Sequence, residues 1–143
     1  MNTFTLSFAS RSENESFARV AVSAFAAQLD PTVEEIREIQ TVISEAVTNA
    51  IIHGYQDRTD GTVTIYGRIE DGSLHVSIID FGVGMEDVAL ARTPLYTSKP
   101  DLERSGIGFT IMEQLCDAIE VDSAPGRGTR IELCKRIAPV MVS

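Results

Sequence analysis

Two runs with apolar residues at alternate positions, Val63, Ile65 and Ile69 in one and Leu74, Val76 and Ile78 in the other, flank the triplet Glu70-Asp71-Gly72. Asp and Gly both tolerate positive φ, so this arrangement predicts a tight antiparallel hairpin. A hairpin in mid-chain argues against the doubly wound fold, which needs strands alternating with helices. Alternation also means that each strand buries one side, so the sheet should have one covered and one open face. Residues 3–8 alternate in the same way, with Phe4, Leu6 and Phe8 on one face, and read as a further half-buried strand.

Between that strand and the hairpin the period changes to that of helices. Ser12 stands three residues before Glu15, a capping-box spacing, and Phe17, Val20, Ala21, Ala24, Phe25 and Leu29 then mark the stripe of a first helix. A second helix starts either at Asp30, with Pro31 in its first turn, or at Thr32, with Glu35 completing a capping box. Its stripe is Ile36, Ile39, Ile43, Ala46, Val47 and Ala50, and Gly54-Tyr55 marks its end. The helix is therefore long, about six turns.

After the hairpin, residues 82–106 break into glycines, proline and charges, with one short helix near residues 87–92. An excursion of this length is of the lid kind. Helical period returns with Ile107, Ile111 and Leu115, followed by a strand through Ile119 and Val121, a turn at Pro125-Gly126-Arg127-Gly128, and a last strand through Thr129, Ile131 and Leu133. These elements fit an α/β two-layer sandwich: a mixed, mostly antiparallel sheet with helices on one face. A single domain over residues 1–143, with a lid at 85–105, is expected.

The 143 residues carry 12 basic and 21 acidic side chains, a net charge of -9. This balance disfavours nonspecific binding to nucleic acid or anionic lipid and leaves room for a basic protein partner. Aromatic residues make up 6% and Trp is absent, so no stacking platform for single strands is expected. The start, MNTFTLSF, has neither the basic beginning nor the long apolar segment of a secretion signal, so a cytoplasmic location is the default expectation and no membrane span is foreseen. Cys116 and Cys134 lie in apolar stretches and read as structural free thiols.

Three stretches carry chemistry. Glu45, Asn49 and His53 are spaced by four and line one ridge of the second helix, beside its core stripe. Glu45 could orient or deprotonate a hydroxyl, and the Asn49 amide oxygen could complete a Mg²⁺ shell; the other reading of this ridge is a polar helix edge, with His53 structural. Asp80 ends the second hairpin strand, just before Phe81-Gly82-Val83-Gly84. A carboxylate there can accept from the exocyclic amine of a base, and Gly82 and Gly84 allow close backbone approach; a plain strand-ending turn is the alternative. The letters Asp-Phe-Gly also occur in protein kinases, yet neither a phosphate-covering Gly-rich loop nor an HRD-like segment precedes them, so that reading fails. Lastly, Ser105-Gly106-Ile107-Gly108-Phe109 opens a helix, where successive N–H groups suit a polyphosphate. Thr97, Lys99 and Arg104 could neutralise phosphate charge or be solvated loop polarity. No P-loop or dinucleotide fingerprint is present.

In their order, Glu45 to Gly54, Asp80 to Gly84 and Arg104 to Phe109 resemble the nucleotide site of the gyrase, Hsp90, histidine-kinase and MutL ATPase superfamily, with its Bergerat-type fold. More narrowly, Asn14 to Arg19, the second helix, and Pro94 to Pro100 through Ile111-Met112-Glu113 resemble the sporulation anti-sigma factors, which are ATP-dependent serine kinases. The resemblance implies a homodimer that sequesters a sporulation sigma factor and phosphorylates a serine of an anti-anti-sigma protein. It assigns Glu45 as general base, Asn49 as Mg²⁺ ligand and Asp80 as the adenine-reading acid. By the same resemblance Gly82 and Gly84 form the first glycine box, Gly106 and Gly108 the second, Thr129 supports the adenine end, Arg104 serves the lid and phosphates, and Arg19 contacts a partner. The family often carries a polar or acidic residue where Phe81 stands. The alternatives are a nucleotide-stabilised sigma-binding module without catalysis and a detached histidine-kinase ATP-binding domain.

Overall fold

The computed structural model describes residues 1–92 and 108–137. Its strands are β1 (Asn2–Ala9), β2 (Thr62–Glu70), β3 (Ser73–Asp80), β4 (Ala118–Ala124) and β5 (Gly128–Arg136). Its helices are α1 (Asn14–Ala26), α2 (Val33–Thr48), α3 (Val88–Ala91) and α4 (Gly108–Leu115). A π-helical turn, Asn49–Gly54, continues α2. The β2–β3 hairpin forms as expected, with Asp71 and Gly72 at φ 51° and 75° and Glu70 opposite Ser73. The strands lie in the order β1-β2-β3-β5-β4, and all four pairings are antiparallel.

Alternation sets which side is covered. Val63, Ile65, Leu74, Val76, Ile78, Ile131 and Leu133 are buried with the helices, whereas Tyr66, Arg68 and Arg130 lie exposed on the other pleat. On that open face the Ser7 and Thr64 hydroxyls bond across β1–β2 at 3.0 Å and Arg130 pairs with Glu132 at 2.6 Å. Among the described residues no helix is long and apolar enough to cross a membrane.

α2 starts at the second of the two sites that the sequence offers. Thr32 Oγ1 accepts from the Glu35 N–H at 3.0 Å, and Glu35 Oε1 accepts from the Thr32 N–H at 2.8 Å. Ile39, Ile43, Ala46, Val47 and Ala50 are buried as the stripe predicts, together with Val42.

α1 departs from its expected phase. Ala18, Val22 and Ala26 are fully buried, while Phe17 and Val20 are 51% and 60% exposed. Nearly every residue from 17 to 26 is apolar, so two phases satisfy the helical period. The small-residue face allows the closer approach to α2, and Phe25 meets Phe4 edge-on at 4.6 Å. The Ser12–Glu15 capping box is also absent. Glu13 is the N-cap without a side-chain bond, and Glu15 instead accepts from the Ser44 hydroxyl on α2 and faces Arg19.

Candidate functional site

The π-helical turn is where α2 reaches the end of β3. Its widened spacing sends the Tyr55 N–H to the Ala50 carbonyl at 2.9 Å, and it places Gly54 flat against Asp80. A Cβ on Gly54 would lie 2.7 Å from the Asp80 carboxylate carbon. The Gly54 carbonyl accepts from the Val83 N–H at 2.9 Å, and a Cβ on Gly82 would lie 1.9 Å from that same carbonyl oxygen. Only glycine permits this crossing of helix end and loop.

The β4–β5 turn closes the other side. Gly84 has φ +74°, and a Cβ there would lie 1.9 Å from the Ala124 carbonyl oxygen; a Cβ on Gly128 would lie 2.1 Å from that of Asp80. The Gly126 N–H bonds the Val83 carbonyl at 2.8 Å. Asp80, Gly82, Gly84 and Thr129 therefore converge, and Gly54 and Gly128, which local sequence marks only as a helix end and a turn, contribute equally.

Asp80 is 3% exposed. Burial pushes its carboxyl up to about 6, against the lowering effect of N–H bonds from Gly82 and Thr129. The Gly82 N–H reaches Oδ1 at 3.0 Å. Two backbone donors leave acceptor capacity unused on a carboxylate, which has about four lone-pair sites. A buried acid with spare acceptors, ringed by glycines, is suited to an amine on a flat ring.

Thr129 is held by Ser123, a residue without a signal in the sequence. The Ser123 hydroxyl lies 2.8 Å from Thr129 Oγ1, donates to the Gly128 carbonyl at 2.9 Å and accepts from the Met85 N–H at 2.9 Å. With its one proton on Gly128, Ser123 takes the Thr129 proton, so Thr129 keeps lone pairs for a further donor.

Glu45 and Asn49 lie half-buried near the end of α2, Asn49 at the change from α to π winding. His53 lies inside the π turn, so the ridge spaced by four does not continue to it with α-helical geometry. Gly108 is the first residue of α4 and Phe109 is buried beneath it. Thr97, Lys99, Arg104, Ser105, Gly106 and Ile107 lie outside the described residues, as does most of the expected lid at 85–105. At the lid's near end, Arg92 Nε donates to Glu113 Oε1 of α4 at 2.7 Å. Arg19 is on α1, half-exposed, 3.7 Å from Glu15.

Among the described residues no cluster of three His, Cys, Asp or Glu side chains can hold a metal ion. Phe81 is 72% exposed, in contrast to the buried acid before it. A hollow lined by Asp80, Ser123, Gly128 and Thr129 together with Ile79, Phe81 and Arg130 reaches the same strand ends from the open pleat. The Asp80 carboxylate lies against Gly54 on the helix side, so we place the site there.

Residues 8–135 match the family described as a histidine kinase-like ATPase domain. The chain is 58% identical over 137 residues to the anti-sigma F factor of Geobacillus kaustophilus, covering 96% of this chain and 94% of that one. It is 55% identical over 135 residues to that of Clostridium beijerinckii, covering 94% of each. Among solved structures, that of the RsbU and RsbW domains of Rv1364c from Mycobacterium tuberculosis superposes with TM-score 0.67 at 18% identity, covering 100% of this chain and 35% of that one. The mycobacterial sensor histidine kinase MprB gives TM-score 0.57 at 22% identity, over 73% of this chain and 74% of that one. At those identities the two structures speak for the fold alone. The match along nearly its whole length makes this chain a member of the anti-sigma F factor family.

Proposed function

We propose that the chain binds ATP at Asp80 and transfers the γ-phosphoryl group to a serine of an anti-anti-sigma protein, and that it also sequesters a sporulation sigma factor. The observation that carries this reading is the buried Asp80 carboxylate pressed on Gly54, with unused acceptor capacity. Asp80 accepts from the adenine amine, and Thr129 supports the same end of the ring. Backbone N–H groups at Gly106, Ile107, Gly108 and Phe109 receive the phosphates, with Thr97, Lys99, Arg104 and Ser105 beside them. Asn49 would hold Mg²⁺, which would neutralise phosphate charge.

Glu45 orients the incoming serine hydroxyl and takes its proton as the serine oxygen bonds to phosphorus and ADP leaves. Positioning and charge neutralisation supply most of the rate. Arg19 contributes to a partner surface on α1. The acidic chain favours protein partners over nucleic acid, and it acts as a homodimer in the cytoplasm.

Radiolabelled ATP, Mg²⁺, the purified chain and an anti-anti-sigma protein test this directly. Phosphoserine is the expected product, and Glu45→Ala should slow its formation by about 10²–10⁴-fold. Binding of nucleotide without any phosphoserine would leave a sequestering module, and phosphohistidine would favour a histidine-kinase fragment. Asn49→Ala should abolish the Mg²⁺-dependent part of ATP affinity.

A further inference from the structure

We propose that Tyr55 is a positioning residue for base recognition, its hydroxyl inserted into the β2–β3 ladder so as to set where Asp80 stands. This rests on the adenine-reading role of Asp80. In an antiparallel ladder, opposed residues alternate between pairs that exchange both backbone hydrogen bonds and pairs that exchange none. Glu70 and Ser73 flank a two-residue turn and so form a bonded pair; counting by twos, Arg68–His75, Tyr66–Ser77 and Thr64–Ile79 follow. The next bonded pair in register is Thr62 with Phe81.

That rung is replaced by a side chain. The Phe81 N–H donates to Tyr55 Oη at 2.8 Å, and Tyr55 Oη donates to the Thr62 carbonyl at 2.6 Å. The hydroxyl thus satisfies the donor and the acceptor that would otherwise bond each other, and β3 ends at Asp80. Tyr55 is 5% exposed and is fixed at both ends. Its N–H bonds the Ala50 carbonyl within the π turn, and its ring lies on Gly61, where a Cβ would come within 2.5 Å of Cε1. Ser10 holds Gly61 in turn, accepting its N–H at 3.0 Å.

Gly54 and Tyr55 therefore hold the segment that follows Asp80, one through the Val83 N–H and the other through that of Phe81. Without the hydroxyl, Phe81 and Thr62 either bond directly, zipping β3 onward by one rung, or lose this partner and leave the loop less firmly held. Both outcomes move the Asp80 carboxylate relative to Gly54. A carboxylate that reads one amine by a hydrogen bond is sensitive to such a shift, because that bond weakens steeply with angle.

The test compares binding of ATP with that of purine riboside triphosphate, which lacks the 6-amino group, to wild type, Tyr55→Phe and Asp80→Asn. Wild type should prefer ATP, and Tyr55→Phe should reduce that preference at least fivefold; a purely structural role would weaken both ligands alike. If Asp80→Asn abolishes the preference and Tyr55→Phe retains it, the role of Tyr55 is overturned while the Asp80 reading stands. If Asp80→Asn retains the preference, the reading itself fails and this inference with it. Amide exchange adds a measurement on the unaltered chain. The Phe81 amide should be protected like those of β3, and exchange at the rate of a free loop would overturn the proposal even if Tyr55→Phe did not fold.

Discussion

At the scale of single residues, Asp80 couples binding to stability with a sign that can be worked out. Its carboxyl titrates near 6 in the folded chain and at 3.8 in the reference state, because burial penalises the charge. Between those values the folded chain holds a proton that the unfolded chain has released. Stability therefore falls as pH rises through this window, by about 3 kcal/mol in all if the full shift is realised. Asp80→Asn should raise the stability of the nucleotide-free chain at pH 7 by about 1–3 kcal/mol in urea denaturation, and should remove the pH slope between 4 and 6. The same variant should lose adenine binding, so a stabilised chain that still bound adenosine normally would contradict the assignment. Ionised Asp80 is the acceptor for an amine. Adenosine, which keeps its charge over this range, should accordingly bind roughly fourfold more weakly at pH 5.5 than at 7.5. Calorimetry at the two values checks this. Asp80, Gly82 and Gly84 were legible because an acid at a strand end before clustered glycines is unusual in sequence, whereas Thr129 entered only through the family resemblance. Ser123 and Tyr55 were not, since a serine in a strand and a tyrosine after a helix carry no local signal, and their roles come from contacts made across the sheet.

At the scale of elements, the legible features were those fixed by local chemistry. The Asp71-Gly72 hairpin, the Thr32–Glu35 capping box and the α2 stripe all depend on backbone preferences within a few residues. Thr32→Ala should cost about 1 kcal/mol of stability by thermal or urea unfolding, because it leaves an N–H of the first turn of α2 without its cap. Catalytic turnover at low temperature should hardly change. The phase of α1 was not legible, because Phe17, Val20 and Phe25 carry the same apolar label as Ala18, Val22 and Ala26. What decides between the two faces is how near α1 can come to α2, a property of the pair of helices. The π turn was equally hidden. Its widened winding is imposed at its far end, where Gly54 is tied to Val83 and Tyr55 to Phe81 and Thr62. Gly82→Ala should be the severe substitution here, since its Cβ meets the backbone oxygen of Gly54 at 1.9 Å and neither side can yield without parting π turn from loop. A loss of about 2 kcal/mol or more, together with loss of ATP binding, is expected, and a fully stable, ATP-binding Gly82→Ala chain would refute the described crossing.

At the scale of the whole molecule, the helical layer must be fastened to the sheet at the end remote from Asp80 as well. Lys135 does this from the covered face of β5, where an apolar residue would suit the alternation. Its Nζ donates to the Leu115 carbonyl, the last residue of α4, at 2.7 Å and lies 3.6 Å from Glu38 Oε2 on α2. The Lys135 and Glu38 side chains are 12% and 28% exposed, so the pair is partly shielded and water still reaches the acid. The cation also faces the C-terminal end of α4, where the helix dipole favours positive charge. Nearby, burial raises the Cys116 thiol to about 11 and the Lys135 charge only partly offsets this, which keeps Cys116 a packing residue, as the sequence implied. One side chain thus joins β5, α4 and α2, and the α4 that it holds is the helix whose first residue is Gly108. Lys135→Met keeps the bulk of the stem and removes the charge, so its effect isolates the polar fastening. With the partial exposure discounting the cost of breaking a buried pair, a loss of about 1–3 kcal/mol is expected. Glu38→Gln should cost less, because the Leu115 carbonyl remains bonded. Measured as a double-mutant cycle by urea denaturation, the two should be less than additive by roughly 0.5 kcal/mol or more. Strict additivity would mean that Lys135 acts on α4 alone, and that α2 and α4 are joined only by their apolar packing.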